Sequence, residues 1–174
     1  AWREADPSSV GAEQLGAAAP GDGAVRVPIG WLAPHGWVLT AFHRDWAWMM
    51  APLASVDEQV EDAWAALIAQ RAAWEAGGTV LFQSLSGLQR AAGPRGSASA
   101  ALGQFAREYP MHWHGERLAE ELLKPLSRSP ASIAVAHEEL VRRLVAAGVL
   151  DPRDASVVAA WWQQLMSQGS LSPR

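Results

Sequence analysis

Ten tryptophans in a chain of 174 residues constrain this fold more than any other feature. A buried indole removes about 150–250 Å² from water and wants one acceptor for its N–H. Seven of the ten lie before position 75: Trp2, Trp31, Trp37, Trp46, Trp48, Trp64 and Trp74. Trp64, Trp74 and Trp162 sit at helical core spacing and are expected to fill gaps between small, alanine-rich helices. Trp46 and Trp48 are two residues apart, and Trp161 and Trp162 are adjacent. Such neighbours point to different sides of a helix. One of each pair is therefore expected near the surface, where aromatics anchor partners. Trp31, Trp37, Trp46, Trp48, Met49, Met50 and Trp161 make up the expected contact patch, centred on residues 31–53.

The length fits one domain, and 49% apolar residues with 18% charged exclude an intrinsically disordered chain. With no cysteine, disulfides, thiolate metal sites and cysteine nucleophiles are excluded. No asparagine occurs either, which removes N-glycosylation. Absence of cysteine fits a cytoplasmic protein, with a disulfide-free periplasmic one as the alternative. Fourteen basic against eighteen acidic residues give a net charge of −4, which argues against nucleic acid as the main partner. Val27 to His43 is uncharged, but Pro28, Gly30, Pro34 and Gly36 interrupt it, so no transmembrane span is expected.

The fold class expected is all-α: a single irregular bundle of five to seven helices, with an extended N-terminal arm over residues 1–30 and a helical domain over 31–174. Residues 24–31 alternate briefly and predict a short edge strand, limited by Pro28. A helix is expected over about 36–50, ended by Pro52. Ser55 and Glu58 match a capping box, and Val60, Trp64, Leu67 and Trp74 then follow on one face until Gly77 and Gly78. Leu81, Leu85 and Leu88 predict a weaker helix over 79–92. Leu102, Phe105 and Tyr109 predict a short helix with those residues inward, stopped at Pro110. Leu118 and Leu122 predict another over 115–126. The most secure expectation is a C-terminal αα-hairpin over 129–168. Its first helix is expected to be capped by Ser129 and closed by Gly148. Its second should start with Asp151 as N-cap, Pro152 in first position and Asp154 in third.

Phosphate loops, nucleophile elbows, calcium loops and the helical zinc signature are all missing from the sequence. The stretch Met111–Glu116 is the one with plausible site chemistry. On an extended segment His112, His114 and Glu116 project the same way, a donor set suited to zinc or iron. The plainer reading is a polar turn between two helices. His137 sits on the apolar side of its helix and is read as a neutral histidine held by a buried hydrogen bond. Glu120–Glu121 and Glu138–Glu139 point about 100° apart within each pair and read as solvated faces, as does Arg142–Arg143.

Three functions compete on this reading. The first is a non-catalytic helical interaction module, an adaptor or small subunit, docking on another protein or on its own copy through the Trp/Met-rich surface. The second is a metal-dependent enzyme using His112, His114 and Glu116, with His35 or His43 joining. The third is helix-turn-helix nucleic-acid binding, with Arg142, Arg143 and Arg153 on phosphates, and it is unfavoured because the last helix is chiefly apolar.

Overall fold

The structure, a computed structural model, describes residues 24–33, 48–83, 98–126 and 132–168. The chain is mostly helical. In order the elements are β1 (Ala24–Arg26), α1 (Glu58–Glu75), β2 (Leu81–Gln83), α2 (Ala98–Leu123), α3 (Ile133–Ala146) and α4 (Pro152–Ser167). The described residues thus hold four helices and one two-stranded sheet. Most of the helix expected over 36–50 lies outside the described residues, and Trp48–Met50 form a short 3-10 turn.

α1 is the centre of the molecule. Every residue from Trp64 to Ala73 is buried, a run that includes Gln70 and Arg71. A helix enclosed on all sides needs small residues so that its neighbours can approach, and five alanines between Ala65 and Ala73 supply them. α2 and α3 pack directly on α1, and α4 packs on α3. The core runs through Val60, Trp64, Ile68, Leu118, Leu122, Leu140, Leu144 and Val158.

The start of α1 departs from the expected capping box. The Asp57 carbonyl accepts from the N–H groups of Val60 and Glu61, both at 2.8 Å. Glu61 reaches back to accept the Leu53 N–H at 2.9 Å. Ser55 is engaged elsewhere: its N–H donates to Asp154 Oδ1 at 3.0 Å and its hydroxyl donates to Asp154 Oδ2. A buried carboxylate with vacant lone pairs competes for that hydroxyl more strongly than the local helix does. The far end of α1 follows expectation. Gly77 adopts φ +71°, and the Gly78 N–H bonds the Ala73 carbonyl at 2.9 Å, closing the helix through a left-handed residue.

Three expected helices come out differently: one begins as a strand and two merge. Leu81–Gln83 is a strand, antiparallel to β1 with Val25 opposite Phe82, where a helix over 79–92 was expected. The pairing segment lies far back in the chain, so local periodicity carries no sign of it. Residues 84–92 of that expected helix lie outside the described residues. The two short helices expected on either side of Pro110 are one continuous helix, α2. Proline removes one donor, but the carbonyl it strands belongs to Ala106, an exposed residue that water can reach.

The αα-hairpin is present. Its first helix is capped by Ser132, whose hydroxyl accepts the Val135 N–H at 3.3 Å. The expected cap, Ser129, lies outside the described residues. The turn matches expectation: Gly148 has φ +70°, Asp151 and Asp154 form a reciprocal capping box, and Pro152 opens α4. A hydrogen bond from the Arg153 N–H holds the Asp151 carboxyl below the usual carboxylate range.

The segment after β1 is fastened to the helices. Buried Gln70 accepts the Ala33 N–H at 3.0 Å through Oε1 and donates to the Trp31 carbonyl at 3.1 Å through Nε2. Within the expected N-terminal arm, residues 24–26 pair with 81–83, and just beyond it Trp31 and Ala33 are held by this amide.

Candidate docking surface

The expected contact residues separate into two groups. Trp48 is 2% exposed and Met49 is also buried, both within the main core. Trp31 is 70% exposed, and Met50 is exposed as well. Trp37 and Trp46 lie outside the described residues.

Trp48 stands between the two helices of the hairpin. Its ring stacks on Trp162 at 5.5 Å between centroids, and the His137 ring lies 5.5 Å from Trp48 and 6.2 Å from Trp162, so the three rings are mutual neighbours. The Trp162 indole N–H donates to His137 Nδ1 at 3.2 Å, which places the histidine proton on Nε2. Burial without a countercharge lowers the His137 pKa to about 4. This is the neutral, hydrogen-bonded histidine expected from its place in the helix. Trp161 is half-buried and donates its indole N–H to the Trp48 carbonyl at 3.2 Å. Adjacent indoles are thus both accommodated, because Trp48 offers its ring to one and its carbonyl to the other.

The Met111–Glu116 stretch is helical, not extended. Residues two apart on a helix point about 200° apart, so His112 and His114 diverge. His112 is exposed and stacks on Phe105 at 5.7 Å, while His114 turns inward and meets the edge of Trp64 at 6.5 Å. Among the described residues no three His, Asp or Glu side chains are grouped to hold a metal ion. His35 and His43 lie outside the described residues. The extended geometry on which the zinc or iron reading depended is absent.

The same helix carries five of the twelve exposed large hydrophobic side chains of the described residues, Leu102, Phe105, Tyr109, Trp113 and Leu123, and the first three were expected to face inward. Leu102 is 71% exposed and Trp113 68% exposed, with Phe105 and Tyr109 also exposed between them. Tyr109 and Trp113, one turn apart, stack at 5.8 Å. The row lies opposite the face that buries Leu118 and Leu122 against α1. Spacing alone shows that Leu102, Phe105 and Tyr109 share a face. Only the position of Leu118 and Leu122, half a turn around the same helix, shows that this face points away from the body. Reading 98–123 as one helix is the signal that would have revealed it.

Two arginines hold α2 in that orientation. Arg71 of α1, itself buried, donates Nε–H to the Leu122 carbonyl at 2.8 Å and is ion-paired to Glu75. Arg143 of α3 donates to the carbonyls of Glu121 (3.2 Å), Lys124 (3.1 Å) and Pro125 (3.0 Å). The last carbonyls of a helix lack internal partners and carry partial negative charge, so two guanidinium groups suit them. Arg143 is thereby half-buried and committed, which corrects its reading as a solvated or phosphate-facing residue. Arg142 is exposed, and Arg153 bonds Asp151.

In comparisons with protein-family models, with curated proteins and with solved structures, nothing matches this chain. No helix among the described residues is long and apolar enough to cross a membrane.

Proposed function

We propose that this protein is a non-catalytic helical interaction module that docks through an apolar helix face. The supporting observation is the outward row Leu102, Phe105, Tyr109 and Trp113 on α2, with Trp31 and Met50 as further exposed apolar side chains. Rings of this size left in water cost free energy that only a covering surface recovers, and contiguous exposed apolar patches mark contact sites. The arginine clamp on the C-terminal carbonyls of α2 supports the same reading, because it fixes the helix without using the outward face.

An environment-sensitive apolar dye tests this directly. Dilute protein is expected to enhance dye fluorescence, and Leu102→Ser/Trp113→Ser is expected to lose most of that signal while keeping its helical circular dichroism. A chain that binds no dye, or a double variant that binds it unchanged, would remove the reading.

A further inference from the structure

The structure assigns the outward face of α2 an occupant: a second copy of this chain, paired antiparallel along α2. This rests on the docking reading above and names its partner. Phe105, Tyr109, His112, Glu116, Ala119 and Leu123 recur in alternating steps of four and three along α2. That is the spacing of a seam between two helices. All six are exposed or half-buried, so the seam is open along the length of the helix.

Charge and size select the antiparallel arrangement. In a parallel pair each residue meets its own copy, which sets Glu116 against Glu116 and Ala119 against Ala119. In an antiparallel pair with the two-fold axis passing α2 at His114, the layers are Phe105 with Leu123, Tyr109 with Ala119 and His112 with Glu116. Symmetry makes each layer twice. Every one is complementary: a ring against a branched aliphatic, a large side chain against a small one, and an imidazole N–H donor against a carboxylate acceptor. Trp113 stands beside the axis, where it shields both His112–Glu116 layers from water.

Area sets the strength. Three aromatics and a leucine about half exposed, with the smaller seam residues, offer roughly 500–600 Å² per copy when a full aromatic counts for ~150–250 Å². A standard stable interface takes ~800 Å² per partner. The pair is therefore a weak, concentration-dependent dimer.

Cysteine cross-linking reads the register, because the chain has no cysteine of its own. Phe105→Cys/Leu123→Cys is expected to give a covalent dimer under mild oxidation. Neither single variant should, since residue 105 of one copy lies roughly 27 Å from residue 105 of the other at ~1.5 Å of rise per residue. Sedimentation over a dilution series supplies the second readout. His112→Glu and Glu116→His are each expected to weaken the dimer about tenfold or more, and the double swap to restore it to within about threefold. Single-cysteine variants that cross-link as readily as the double, or a double swap no tighter than either single, would overturn the proposal. A chain that stays monomeric at every concentration but still binds the apolar dye overturns the second copy alone, and points to a different protein partner. A monomer that binds no dye overturns the docking reading with it.

Discussion

Two clusters of aromatic side chains meet opposite fates in this molecule. At the hairpin, Trp48, His137 and Trp162 are packed ring against ring and nearly sealed from water. Along α2, Phe105, His112, Tyr109 and Trp113 also stack in pairs, yet remain at the surface. Residue type does not distinguish them. The first cluster draws its members from three separate segments that close around one another. The second draws them from one helix, and side chains on one helix face cannot bury each other without a second element. An aromatic row from a single segment stays at the surface unless another element covers it.

Breaking the buried cluster is expected to give the largest effect. Trp162→Ala removes the ring that stacks on Trp48 and the donor to His137, and should cost about 3–5 kcal/mol in chemical denaturation. A loss below about 1 kcal/mol would show that the hairpin and the 48–50 turn hold together without this contact.

A pH series probes the same cluster with a smaller effect. His137 has a folded pKa of about 4 against an ordinary value of 6.5, so between those values the unfolded chain binds the extra proton. Stability contributed by the neutral imidazole is complete above about pH 6.5 and declines as pH falls toward 4, by on the order of 3 kcal/mol across the window. His137→Leu should flatten that part of the pH–stability curve. An unchanged slope in the variant would place the titrating group elsewhere.

The outward row sharpens the contrast from the other side. Phe105→Ser is expected to change monomer stability by no more than about 0.5 kcal/mol, because the side chain it removes faces water. Equal destabilisation by Phe105→Ser and Trp162→Ala would erase the distinction between the two clusters.

Much of the fold was legible in the chain. The hairpin turn was readable because its signals are local: Gly148, Asp151, Pro152 and Asp154 lie within seven residues and act on one another. The same holds for Gly77 after α1 and for the brief alternation of β1. Ser55 and Leu81–Gln83 were misread because their partners, Asp154 and Ala24–Arg26, lie far along the chain, and a hydroxyl or a strand edge goes to whichever partner the fold presents. Pro110 was misread as a stop because the cost of a lost helix bond depends on whether water can reach the stranded carbonyl. The outward direction of the α2 row was not legible, and the expected patch lay elsewhere, around residues 31–53. Helical spacing put Leu102, Phe105 and Tyr109 on one face, and the packing of Leu118 and Leu122 on α1 decided which way that face points.

The chain by itself determined that large indoles and small alanines would build a mostly helical body, where its turns fall, and that no cysteine chemistry is available. Which aromatics lie inside was decided only by tertiary structure. Burial is a property of what stands opposite a side chain, and neither its identity nor its spacing states that.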